Sequence, residues 1–143
     1  MFKAILFDLD DTLLRNEVSG FVGAYFKTLL PKIAHFFPDG NAPEIIQTAT
    51  NAMMAAPRDD RTLRDVFIET FDHHSPVPFA EVEPVFLDYY QNEFQAVESV
   101  THKVPLANRA LKAANEFTDK IALATIPIFP KIAIEERLRW AGI

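Results

Sequence analysis

Hydrophobic positions along the chain change their spacing several times, and each change marks a new element. Phe2, Ala4, Ile5 and Leu6 form a short apolar run that predicts a buried strand. From Val18 the spacing becomes three and four: Val18, Val22, Tyr25, Leu29, Ile33 and Phe36 mark one face of a long amphipathic helix ending near Pro38-Asp39-Gly40. Asn41 as cap and Pro43 in the first turn open a second helix, with an apolar face of Ile45, Ile46, Ala49, Ala52, Met53 and Ala56. A charged link, Arg58-Asp59-Asp60-Arg61, leads to a third face of Leu63, Val66, Phe67, Thr70 and Phe71, which ends at His73-His74-Ser75-Pro76. The fourth runs through Val82, Val85, Phe86, Tyr89, Tyr90, Phe94 and Val97 and stops near Ser99 and Thr101. Four helices joined by short turns predict a compact antiparallel bundle over residues 15–101.

The rhythm then alternates. Leu106, Ala110, Ala113, Ala114 and Phe117 predict a helix, and Lys120-Ile121-Ala122-Leu123-Ala124-Thr125-Ile126 predicts a second buried strand. Pro127 and Pro130 interrupt the chain before a last helix over residues 132–140, with Glu135, Glu136, Arg137 and Arg139 on its solvent side. Helix followed by strand is the α/β pattern, and two strands joined by a long crossover should lie parallel. No internal repeat or low-complexity tract occurs.

Composition narrows the function. At 143 residues, with 49% hydrophobic and 12% aromatic content, the chain is long and apolar enough for a sizeable core. Thirteen Phe against three Tyr and one Trp suit packing surfaces better than a stacking platform for bases or sugars. A net charge of -6 and a pI near 5.1 argue against nucleic acid as partner. Without cysteine there is no disulfide, thiolate metal site or cysteine nucleophile. No apolar stretch reaches the ~18 residues of a membrane span and the N-terminus is too acidic for a signal peptide, so a soluble cytoplasmic protein with no membrane partner is expected.

The chemistry gathers in Phe7-Asp8-Leu9-Asp10-Asp11-Thr12-Leu13-Leu14, directly after the first strand. Ligands of open α/β sheets bind beyond the carboxyl ends of the strands, and Asp8 and Asp10, two apart on an extended segment, can face one crevice. Carboxylates crowded in this way call for a hard divalent cation such as Mg²⁺. The alternative is an acidic turn in which Asp and Thr cap a following helix. Elsewhere the signals are structural: Met53 and Met54 suit core filling, and His73 and His74, as neighbours on a helix, point about 100° apart and do not converge on one ion.

Asp8-Leu9-Asp10-Asp11-Thr12 at the exit of an N-terminal apolar strand resembles the first motif, DxDxT, of the haloacid dehalogenase (HAD) superfamily. The second strand, ending in Ala124-Thr125 and followed by Pro127-Ile128-Phe129-Pro130 and the helix Ile134-Glu135-Glu136-Arg137-Leu138-Arg139-Trp140-Ala141-Gly142, is similar to that family's second motif. The resemblance implies a HAD-like, Rossmann-like parallel sheet core formed by residues 1–14 and 102–143, incomplete here, with residues 15–101 as an inserted four-helix cap. It further implies a phosphate-monoester hydrolase in which Asp8 is the nucleophile and Asp10 the general acid and base. Mg²⁺ would bind the Asp8 side chain and the Asp10 backbone carbonyl, the Thr125 hydroxyl would hold the phosphate, and the substrate would be a small phosphorylated metabolite. Asp10 separates a phosphatase from a dehalogenase, since an alkoxide leaving group needs a proton and a halide does not.

Two departures accompany the resemblance. Ile126 stands where relatives with this flanking sequence commonly carry Asn, and a later basic residue and acidic metal-binding motif do not occur within these residues. Lys131 is the nearest cation after the second strand but lies at a helix start, outside the family's context. Weak or absent activity is therefore expected of the chain as it stands, with self-association through an exposed sheet edge. The competing function is a non-catalytic binding or oligomerisation protein that keeps the opening of the fold. Arg58 and Arg61 are further candidates for touching a second anionic group.

Overall fold

The structure, a computed structural model, describes residues 2–57 and 60–143. In chain order the elements are β1 (Ile5–Phe7), β2 (Leu14–Asn16), α1 (Val18–Ile33), α2 (Ala42–Ala55), α3 (Leu63–His74), α4 (Phe79–Asn92), β3 (Thr101–Lys103), α5 (Ala107–Asn115), β4 (Ile121–Leu123) and α6 (Lys131–Ala141), with 3-10 turns at Ala34–Phe36 and Phe94–Val100. The class is mixed α/β, dominated by helix, with few and short strands. Contacts divide it into two compact units, one of Met1–Ala24 with Gln95–Ile143, the other of Tyr25–Phe94. The divide lies inward of residues 15 and 101 because the chain on both sides of the helical stretch is held in the first unit by a strand pair.

That pair is the main element missing from the sequence reading. β2 and β3 form an antiparallel ribbon in which Leu14 faces Lys103 and Asn16 faces Thr101. Periodicity cannot reveal strands of three residues, and Leu14-Arg15-Asn16 carries one apolar residue among three. α6 packs on this ribbon, and its C-terminus closes on Gly142, whose left-handed φ of 80° only glycine adopts without strain.

The two expected core strands also form: β1 and β4 pair in parallel, with Ile5 opposite Ile121 and Phe7 opposite Leu123. They are not buried, which corrects the expectation. Leu6 is 65% exposed and Ala122 is exposed beside it, because the sheet has two strands and one of its faces is open among the described residues. The core of this unit lies instead under Leu9, Leu13, Leu14, Phe21, Val97, Ala133 and Trp140.

The second unit follows the helical spacing closely. Its part of α1 buries Tyr25, Leu29 and Ile33 at strict i+4 steps, and the same stripe begins at Phe21 in the first unit, where Val18 is 68% exposed. α3 begins with the capping box of Thr62 and Asp65, in which each side chain receives the other's backbone N–H. Phe67, Phe71, Phe79 and Phe86 pack as edge-on and stacked rings between α3 and α4. Met53 joins this unit's core, and Met54 is exposed.

Tyr25 and Tyr90 share a hydroxyl hydrogen bond of 2.9 Å in the interior, and burial raises both phenols above their ordinary value of 10.0. A group whose folded value is raised favours its protonated form in the folded state, so its contribution is complete below the ordinary value and is lost as pH climbs past it. Urea midpoints should therefore be level up to about pH 10 and fall above it, with a shallower fall for Tyr90→Phe. Equal alkaline slopes for the two proteins would contradict this.

Candidate functional site

The loop after β1 is built by backbone hydrogen bonds around one buried residue. The Leu9 side chain is fully buried, and its carbonyl accepts from the N–H groups of Thr12 (3.3 Å), Leu13 (2.9 Å) and Leu14 (3.0 Å). The Leu14 carbonyl accepts from the Asp11 N–H at 2.8 Å. Closing so tight a turn puts Asp11 at a φ of 55°, a conformation that Asp tolerates better than most side chains. No helix begins at Asp11 or Thr12, because the chain passes straight into β2. The capping part of the alternative is thus overturned, while the turn itself forms over residues 11–13.

The loop gives its three carboxylates three different surroundings. Asp11 accepts the Asn16 N–H through Oδ1 at 3.2 Å and so braces the turn. The Asp10 side chain is ion-paired with Arg137 of α6. Asp8, the first residue past β1, is exposed, and among the described residues its carboxylate makes no hydrogen bond or ion pair. The Asp10 carbonyl takes none of the bonds that close the loop.

Arg137 corrects the assignment of the last helix. Expected on the solvent side, it is 3% exposed, with its guanidinium over the rings of Phe21 (5.2 Å) and Phe129 (5.6 Å). Burial pulls the group down to about 10, and the charge on Asp8 opposes that fall, so it remains a cation at neutral pH beside both carboxylates. The signal was in the spacing: Arg137 lies four residues after Ala133 and three before Trp140, both buried, so it shares their stripe. Reading it by charge in place of position hid it.

Thr125 lies at the same end of the sheet as Asp8. The Ala124 N–H donates to the Phe7 carbonyl at 2.7 Å, extending the parallel ladder one step past β4, and Thr125 follows, half-buried. Its hydroxyl is hydrogen-bonded to neither carboxylate. Ile126 is exposed. Lys131 is also exposed and reaches Glu135 at 3.5 Å. Arg61 pairs with Glu69 at 2.9 Å within the helical unit, and Arg58 lies outside the described residues. The His73 and His74 rings cross edge-on, and the ends of α3 and β1 belong to different units. A surface concavity lined by Gln95, Glu98, Ser99, Thr101, His102 and Trp140 shares none of the loop's residues.

A divalent cation would find two donors here, the Asp8 carboxylate and the Asp10 carbonyl, both hard oxygens left open by the loop's own bonding. Three carboxylate or imidazole side chains do not converge among the described residues, so the remaining coordination would come from water and substrate. The donors fit Mg²⁺, which keeps several waters and is often held by one or two carboxylates. The chain matches no known family model, no curated protein and no solved structure.

Proposed function

We propose that this chain carries the nucleophile loop and the phosphate-binding strand of a HAD-like, Mg²⁺-dependent phosphate-monoester hydrolase, with Tyr25–Phe94 as its helical cap unit. The observation that carries the reading is the division of labour at the end of β1: an unpaired carboxylate, Asp8, two residues before an ion-paired one, Asp10, beside a parallel strand that leads to Thr125. In the reaction an Asp8 oxygen attacks phosphorus, the Asp8 O–P bond forms and the ester P–O bond breaks, with the proton for the departing alkoxide coming from Asp10, which enters the cycle as the carboxylic acid and leaves this step as the carboxylate. Asp10 then takes a proton from water, which attacks phosphorus, and the bond to Asp8 breaks to release inorganic phosphate. Bound Mg²⁺ supplies neutralisation of the repulsion between the carboxylate and the phosphate dianion. The Thr125 hydroxyl donates to a phosphate oxygen. The exposure of Leu6 and Ile126 supports self-association through the open sheet as well.

The test is release of phosphate from p-nitrophenyl phosphate and a panel of sugar and nucleoside phosphates, with Mg²⁺ and with EDTA. It is run on this chain and on its Asp8→Asn variant. Beryllium fluoride with Mg²⁺, followed by ¹⁹F NMR, reports the aspartyl-phosphate geometry without turnover. Mg²⁺-dependent release together with a fluoride complex that Asp8→Asn abolishes is expected. Neither signal from the native chain would overturn the hydrolase reading in favour of a non-catalytic binding protein.

A further inference from the structure

We propose that Arg137 is the positioning residue that separates the two carboxylates, tying the Asp10 side chain to α6 and leaving Asp8 alone to meet a cation or phosphate. This deepens the hydrolase reading and rests on it. The guanidinium is 3% exposed and held from separate parts of the first unit: its own helix, Phe21 of α1 at 5.2 Å, and Phe129 of the segment between β4 and α6 at 5.6 Å. A cation clamped between two rings cannot follow a carboxylate into solvent, so the carboxylate of Asp10 comes to it. Its Nε has no hydrogen-bond partner, so the ion pair through Nη2 is the bond that answers its burial.

The charged groups acting on the Arg137 guanidinium are Asp10, its ion-pair partner, and Asp8 of the same loop, while Phe21 and Phe129, packed on it, carry no charge. The ion pair therefore withdraws the Asp10 side chain from cation coordination while its carbonyl remains open. It also keeps a positive charge next to the Asp8 carboxylate, where it repels a divalent ion. Removing Arg137 frees a second carboxylate and deletes that repulsion. Cation binding should then tighten, whereas loss of a residue that only supported the fold would weaken it.

The experiment is titration of Mn²⁺ alone into the native protein, R137M, R137K, D10N and D10N/R137M, followed by water-proton relaxation, with near-UV circular dichroism as the check on folding. R137M is expected to bind Mn²⁺ more than tenfold more tightly: deleting one unit charge that repels a divalent ion at roughly 6 Å in water accounts for about tenfold, and the freed Asp10 carboxylate adds to it. R137K should stay within about threefold of native because it keeps the charge. In the D10N background the gain should shrink, since the freed carboxylate is gone. Turnover of p-nitrophenyl phosphate by R137M should fall through kcat more than through KM.

Unchanged or weaker Mn²⁺ binding by folded R137M, or an undiminished gain in D10N, overturns the assignment, as does binding by none of the five proteins. If R137M does not fold, the Arg137 Nε–Hε resonance decides: it should move in D10N, and an unmoved signal rejects the ion pair. Mn²⁺ binding in the expected order without turnover or a fluoride complex would fault the hydrolase reading while supporting the positioning role.

Discussion

Asp8→Asn should abolish turnover of any active preparation and leave the fold intact. The amide has nearly the volume of the carboxylate, and the side chain is exposed, so neither a cavity nor a lost ion pair results. On the proposed mechanism the nucleophile would be lost, and with it the covalent route. Asp10→Asn should behave differently. It removes general acid and base catalysis, typically worth about 10²–10⁴-fold, and it strands a guanidinium that is 3% exposed. Its loss should be greatest for alkyl phosphates, whose alkoxides need a proton, and least for p-nitrophenyl phosphate. Steady-state rates over a series of leaving groups, with Asp10→Asn also assayed for unfolding by urea, separate the chemical loss from the structural one. Small and equal losses in both variants would mean that the loop is a structural turn.

How far the sequence could be read follows from what each residue depends on. The helices of the second unit were legible because burial there repeats at helical steps: Tyr25, Leu29 and Ile33, then Ile45, Ala49 and Met53, then Val82, Phe86 and Tyr90. β1 and β4 were legible as strands, and their parallel pairing followed from the crossover between them. Their burial was not. An apolar run records what a strand can cover, and among the described residues Leu6 and Ala122 have no cover on their face of the sheet. The β2–β3 ribbon was out of reach because residues 14–16 and 101–103 are joined by register alone, across more than half the chain. Asp8 and Asp10 were singled out by type and spacing, and Thr125 by the resemblance of its strand end to a family motif. The burial of Arg137 was legible in its stripe with Ala133 and Trp140, but its partner was not, because the ion pair joins it to a residue 127 positions away.

The largest stability effect should come from Phe71→Ala in the helical unit. Phe71 is fully buried, and its ring meets Phe79 edge-on at 5.3 Å, Phe37 at 6.1 Å and Phe67 in a stack at 5.9 Å. Truncation removes the transfer free energy of the ring and leaves a cavity between α3 and α4 that neighbouring aromatic rings, being rigid, fill poorly. Phe→Ala changes of this kind cost about 3–5 kcal/mol, and lost aromatic pairs account for about 0.5–1.5 kcal/mol each beyond area. Set against a total of roughly 5–15 kcal/mol for a protein of this kind, that takes the unit close to unfolding at room temperature. Leu6→Ala is the control: the side chain is 65% exposed, so its removal should change stability by no more than about 0.5 kcal/mol. Urea unfolding followed by far-UV circular dichroism measures both. A loss below about 1 kcal/mol for Phe71→Ala would mean that the ring cluster does not hold α3 against α4. A loss at Leu6 equal to that at Phe71 would mean that the open face of β1 is covered in solution.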